Sequence, residues 1–458
     1  MKAVHRSLRV SVAAAGVLLS GRIARAQTSS PPPDAAASSG TVGQAAVTAA
    51  TYPDEASAPT ATNASSAPPL PAGRTQPSTT TVTLRSGAAV ESDGTLTLTV
   101  GPVAITPRAY VETYYSYNLN QPSNGITNER GFDNRHNTFS IANAVLDIGA
   151  TIASSLTLRL ALQVGTTPDT YYLAEPSAMG TMAVSGSSAS TWKYFQQANV
   201  AWTTPIGRGL RVEGGLFLSP IGIEYVAVHS NYNWSRSNLF FGLPFYHAGA
   251  RLYYPFTDHF RATVAVWNGW NDILDNNAFK SMSVQAEYEG DRFFVNLLYF
   301  GGVERRPGSL EGNAWRSLFD FTFSVRPHDR VELQAELNGG FEPNRLGTAG
   351  WAAGAIYARV TPVSWLRFAA RGDYFREFIP AGGEAIFWNG ATWVSSGTGT
   401  VEFRGFDHVS LRLEYRFDAC DPANPLYFAR NVTTDRSGAY VTNASTQHTI
   451  TLGATAWF

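Results

Sequence analysis

The residues able to do chemistry in this chain are charges set at every second position of aromatic-rich segments. They are Arg159, Arg251, Asp320, Glu332, Glu336, Arg359, Arg367, Arg371, Asp373, Arg412, Glu414 and Arg416. Residues two apart on an extended chain share a face. Guanidiniums and carboxylates gathered on one face and turned to a water-filled lumen would sort solutes by charge. Arg359, Arg367, Arg371, Arg412 and Arg416 fall on three consecutive expected strands and would form a basic wall, giving a weak preference for anions. Asp373 and Glu414 sit among them, so the competing reading is a solvated face whose ions satisfy one another. Other chemistry finds little support. His247 and Arg251 are four apart on one strand face, but the spacing supplies no further metal ligand, so pore lining or strand hydrogen bonding is the better reading. The acidic "DILDNN" at 272–277 lacks EF-hand spacing and reads as a surface loop. The single cysteine, Cys420, can form neither an internal disulfide nor a thiolate metal cluster. No G-x-S-x-G, H-E-x-x-H or phosphate loop occurs. No cofactor or metal is expected, and the chain does not read as an enzyme.

The elements that must position these charges are β-strands. In "VELQAELN", Val331, Leu333, Ala335 and Leu337 oppose Glu332, Gln334, Glu336 and Asn338. In "HVSLRLEYRF", Val409, Leu411, Leu413, Tyr415 and Phe417 oppose Ser410, Arg412, Glu414 and Arg416. A period of two marks strands with two different faces. Charged residues make up 15% of the chain, below the ~25% usual in soluble domains, and aromatics 12%. The net charge of −1 gives no reason to expect nucleic acid. Past the N-terminus no apolar run is long enough for a membrane helix. About sixteen strands are expected, with twelve to fourteen as alternatives, running from 108–118 and 138–152 through 350–361 and 364–376 to 407–417, 425–432 and 447–458. Short connections ("ASS", "TPIGRG", "PFTD", "EGD", "RPHD", "TPVS", "DACDPAN") alternate with long ones such as 119–137, 167–192, 219–243 and 377–406.

Short turns at one end and long loops at the other mark an outer-membrane barrel. In hydrocarbon every backbone polar group needs a partner, and a closed barrel leaves no edge. The expected fold is all-β: a transmembrane, antiparallel, up-and-down barrel over 107–458. It is preceded by a signal peptide at 1–26, a disordered Ala/Ser/Pro/Thr-rich linker at 27–80 and a short β-hairpin segment at 81–106. Lys2, His5, Arg6 and Arg9, the apolar stretch 10–19 and the A-x-A at 24–26 carry the signal-peptide reading. "YVETYYSY" at 110–117, "RLYYPF" at 251–256 and "AVWNGW" at 265–270 are read as interfacial aromatic girdles. The chain stops on an alternating strand in which Ile450, Leu452, Ala454, Ala456 and Phe458 share the lipid face. Phe458, Ala456, Leu452 and Ile450 are the candidate signal for the outer-membrane assembly machinery.

The stretch 214–277 carries a resemblance. A "P-I-G-x-E" (Pro220, Ile221, Gly222, Glu224) leads to "N-x-N-x-S-R-S" (Asn231, Asn233, Ser235, Arg236, Ser237), then "P-x-Y-H-x-G-x-R" (Pro244, Tyr246, His247, Gly249, Arg251) and "N-G-W" (Asn268, Gly269, Trp270). This resembles the β-barrel porin family described as OmpL-like, over about 107–418. The resemblance implies an outer-membrane channel of a Gram-negative bacterium through which small hydrophilic solutes diffuse passively. The alternatives are a non-conducting structural or adhesin barrel with a plugged lumen, and an outer-membrane hydrolase. Loop 231–243, with Arg236 as its charged contact, either packs on the rim, the placement favoured here, or folds inside as a constriction. Expected partners are outer-membrane lipid and lipopolysaccharide, the assembly machinery, small hydrophilic solutes and, as a homo-oligomer, further copies of the chain.

Overall fold

The computed structural model describes residues 82–84, 88–90, 96–174, 189–275 and 277–458. The expected signal peptide and linker lie outside the described residues. The chain forms β1 (Val82–Leu84), β2 (Ala88–Val90), β3 (Leu96–Val100), β4 (Val103–Asn118), β5 (Thr138–Ile152), β6 (Leu156–Val164), β7 (Phe195–Thr203), β8 (Arg211–Leu218), β9 (Tyr246–Pro255) and β10 (Phe260–Trp267). It continues through β11 (Ser281–Glu289), β12 (Phe293–Val303), β13 (Trp315–His328), β14 (Val331–Asn344), β15 (Gly347–Val363), β16 (Leu366–Phe378), β17 (Trp393–Phe406), β18 (Val409–Cys420) and β19 (Thr446–Trp457).

Strands β4 to β19 pair antiparallel in chain order, and β19 pairs back with β4, from Thr449 opposite Asn118 to Trp457 opposite Tyr110. Phe458 completes the seam: its N–H donates to the Ala109 carbonyl at 3.0 Å and its carbonyl accepts from Ala109 at 3.1 Å. The result is a closed barrel of sixteen strands in which each ladder is shared by two neighbours. β3 extends the sheet past the end of β19 by pairing with the start of β4, Val100 opposite Val103. β2 and β1 continue that antiparallel ribbon.

The two faces separate as the alternation demands. On β18, Leu411, Leu413 and Tyr415 are 45%, 53% and 46% exposed, whereas Arg412, Glu414 and Arg416 are 1% exposed or less. A charge turned to lipid at mid-height would cost about 2–4 kcal/mol, which confines the ions of this wall to the inside.

At one end the connections are short: 153–155, 204–210, 256–259, 290–292, 329–330, 364–365 and 407–408. At the other they are long, with 345–346 as an exception to the strict alternation expected. Two expectations need correction. Residues 393–406, expected as loop, form β17, and 425–432, expected as a strand, is loop that carries a single β-bridge, Tyr427 to Ala444, among the described residues. "DACDPAN" is therefore no short turn: it ends β18 and opens the long loop 421–445. The two errors cancel, so the strand count stands. The aromatic reading changes in part: Phe256 is exposed on the outer face, but other rings turn inward. Tyr110, Tyr114, Trp267 and Trp270 are buried inside the barrel rather than set in a lipid-facing girdle.

Candidate functional site

The inside of the barrel is organised by the loop 219–245. Its base is closed by a hydrogen bond from the Ser219 N–H to the Phe245 carbonyl, 2.9 Å. From there the chain folds into the lumen, contrary to the rim placement favoured from sequence, and Trp234, Leu239 and Arg236 become 3% exposed or less. The motif residues give the loop its shape. Gly222 has φ +88°, a conformation that glycine adopts readily. Asn231 clamps Tyr225 with both ends of its side chain, each at 2.7 Å. Ser237 caps the helix Asn238–Phe241 by accepting from the Phe240 N–H, and its hydroxyl donates to Glu224 at 2.5 Å. Arg236, expected to be the charged contact of a constriction, is spent within the loop. It donates to the carbonyls of Trp234, Tyr225 and Val226 and lies 4.9 Å over the Phe132 ring.

The barrel wall grips this loop mostly through its backbone. Carboxylates accept loop N–H groups: Asp320 from Gly222 (3.3 Å), Glu336 from Ile223 (3.1 Å), Glu112 from Val228 (2.5 Å), Asp373 from Asn238 (3.3 Å), and Glu414 from Trp234 (2.5 Å) and Ser235 (2.9 Å). Arginines donate to loop carbonyls: Arg412 to Val228 (2.8 Å), Asn231 (2.9 Å) and Asn233 (3.1 Å), Arg371 to Ser235 and Arg236, and Arg416 to Arg236. Arg371 also pairs with Glu224 at 2.9 Å. Each hydrogen bond to a charged group contributes roughly 1.5–3 kcal/mol when its partner would otherwise be buried alone. Trp234 packs on Gly453 of β19, where a Cβ would stand 2.2 Å from the ring. Burial pushes His229, also in this loop, well below the usual imidazole range, and it stacks on Trp457 at 5.1 Å.

Towards the long-loop end an apolar cluster joins several loops to the wall. Phe132 packs on Phe240 and Phe245, Tyr171 on Phe245, and Phe387 on Trp270, Trp351 and Phe375. Glu377 holds the 386–388 turn by accepting the N–H groups of Ile386, Phe387 and Trp388. His247 is fully buried here, 3.0 Å from the Gly269 carbonyl and 3.3 Å from the Ser219 hydroxyl, stacked on Trp267. Asp272 of "DILDNN" is buried rather than set in an exposed loop, and Cys420 is a buried thiol in the apolar cluster. Among the described residues no group of three His, Cys, Asp or Glu is placed to hold a metal.

The remaining charges expected from parity, Arg159, Arg251, Glu332, Arg359 and Arg367, lie nearer the short-turn end and are paired along the wall. Arg159 meets Asp147 at 2.8 Å, Arg251 and Arg211 share Glu213, Arg359 and Arg326 share Glu332, and Arg367 and Arg412 share Glu402. Arg371, Arg412 and Arg416, expected in an open basic wall, are instead covered by the loop. Sequence reasoning missed Glu112, Glu402 and Arg404. Glu112 shares the parity of Tyr110 and Tyr114, so its inward placement was available from the alternation. Glu402 and Arg404 were hidden because β17 was read as loop.

A sixteen-strand antiparallel barrel with an apolar exterior, a charged inner wall and a loop folded into its lumen defines an outer-membrane porin. The family described as "Putative beta-barrel porin-2, OmpL-like" matches residues 104–458, and the chain belongs to it. Among solved structures it is similar to OmpT of Vibrio cholerae, with 12% identity and a TM-score of 0.50 over 79% of this chain and 99% of that one. It is likewise similar to an anion-selective porin from Comamonas acidovorans, with 12% identity and a TM-score of 0.50 over 78% of this chain and 100% of that one. At such identities the likeness is one of fold. No curated protein sequence matches the chain.

Proposed function

We propose that this porin passes small hydrophilic solutes by diffusion, without catalysis, along a lumen that loop 219–245 narrows at mid-height. The observation that carries the reading is the loop itself, docked inside a closed barrel on the inner-wall ions Glu112, Asp320, Glu336, Arg371, Arg412 and Glu414. Burial of these side chains and the apolar cluster above them argue for a tight passage rather than a wide water-filled one. The guanidiniums near the short-turn end favour weak anion preference. The terminal seam at Phe458 supports a role for the last strand in assembly by the outer-membrane machinery, in a bilayer of lipid and lipopolysaccharide, with self-association as a further step. Planar bilayers test the core of the proposal. Small discrete conductance steps and a reversal potential set by anions are expected. A silent bilayer containing folded protein would favour a filled, non-conducting barrel, and cation preference would remove the selectivity claim.

A further inference from the structure

One part of the inner wall gives no hydrogen bond to the docked loop, which reaches it only with the Tyr232 ring. On β15 to β18, near the short-turn mouth, Arg359, Arg367 and Arg404 lie below the level at which Arg371 and Glu414 hold the loop. Arg367 stands directly opposite Glu402, Arg404 lies two residues from Glu402 on the same face, and Glu402 stands opposite Arg412. Directly opposed side chains are about 5 Å apart at Cβ and diagonal ones about 7–8 Å. Arg326 completes the group beyond Glu332. Five guanidiniums therefore face two carboxylates. Those carboxylates are already engaged: Glu332 with Arg359 and Arg326, and Glu402 with Ser410 at 2.7 Å, Arg412 at 3.0 Å and Arg367 at 3.6 Å. Glu112, beyond Arg412, is taken by the Val228 N–H. Arg404 makes no ion pair among the described residues; its guanidinium lies 4.7 Å over the Trp457 ring. Arg359 is likewise seated on an aromatic face, 4.0 Å from the Tyr232 centroid. The side chains of Arg359 and Arg367 keep 13% and 16% exposure, whereas Arg412 and Arg416 keep 1% or less.

We propose that Arg359, Arg367 and Arg404 form a binding station for small multivalent oxyanions, phosphates or carboxylates, at the short-turn, periplasmic mouth of the barrel. Guanidinium forks match oxyanions two bonds at a time. Aromatic seats hold two of the forks in place. This deepens the porin reading and rests on it for its transport meaning, but the binding itself can be measured without conduction.

The test uses the full chain in detergent, titrated calorimetrically with inorganic pyrophosphate and separately with citrate. Saturable binding is expected, with the tighter of the two ligands assigning phosphate or carboxylate. Arg367→Ala combined with Arg404→Ala is expected to weaken it about tenfold or more, from the loss of two charge-assisted contacts. Glu332→Gln is expected to tighten it by freeing Arg359. Arg376→Ala, on the outer face, is the control and is expected to leave it unchanged. If the double variant does not fold, Arg404→Gln alone serves, since Arg404 holds no ion pair. In bilayers, pyrophosphate is expected to block from the short-turn side at lower concentration than from the other. Absence of saturable binding to folded protein, or binding indifferent to the arginine substitutions, overturns the station. Binding retained by a protein that never conducts overturns the porin reading and leaves the station standing.

Discussion

Replacing Glu414 by Ala tests whether wall charges hold the loop in the lumen. Glu414 accepts the N–H groups of Trp234 and Ser235, at 2.5 and 2.9 Å, and the Thr400 hydroxyl at 2.8 Å. It also stands between Arg412 and Arg416 on one strand face. The β18 backbone ladders to β17 and β19 do not involve its side chain, so the barrel itself should persist. Two charge-assisted bonds at roughly 1.5–3 kcal/mol each set the upper range of the loss, and partial resolvation of the freed amides lowers it to about 3–4 kcal/mol. At about 1.4 kcal/mol per factor of ten, the ratio of released to docked loop should rise by roughly 10² to 10³. Single-channel recording should then show larger or more frequent openings, and limited proteolysis should cut within 219–245 where the parent resists. Glu414→Gln keeps one acceptor oxygen and should fall between the two. Unchanged conductance together with unchanged proteolysis in a correctly folded Glu414→Ala barrel would refute the docking argument.

Two further outcomes follow from contacts at the seam strand. Gly453→Ala puts a Cβ 2.2 Å from Cε3 of Trp234, so the loop must shift; conductance should rise, and adding Trp234→Ala should relieve the clash, measurable as recovered resistance to thermal unfolding. A Gly453→Ala barrel as stable and as constricted as the parent would count against the packing. Deleting Phe458, or placing charged residues after it, removes the last pairing with Ala109 and should lower the folded outer-membrane population in cell fractionation; an undiminished population would dismiss Phe458 as an assembly element.

The alternation made the barrel legible because lipid and lumen demand opposite chemistry from successive residues, as Leu413 and Glu414 display. It failed where that contrast lapses. On β17 the outward positions beside Ser396, Thr398 and Thr400 are Ser395, Gly397 and Gly399, too small to signal an apolar face. At 425–432 the opposite happened: Leu426, Tyr427 and Phe428 are apolar and buried in succession, which fits a loop packed inside a barrel and no two-faced strand. The charges expose a deeper limit. Parity placed Arg371, Arg412, Glu414 and Arg416 on the inner face, but parity is local, and their partners in the loop lie 135 to 184 residues away. Those partners are mostly main-chain N–H and C=O groups, which every residue but proline carries, so no side-chain pattern in 219–245 could announce them. The wall therefore reads the path of the loop more than its side chains. The side-chain motif acts earlier, with Gly222, Asn231 and Ser237 bending the loop so that its amides meet carboxylates and its carbonyls meet guanidiniums. On this argument the arginines that meet no loop carbonyl, Arg359, Arg367 and Arg404, are the ones left available to a solute.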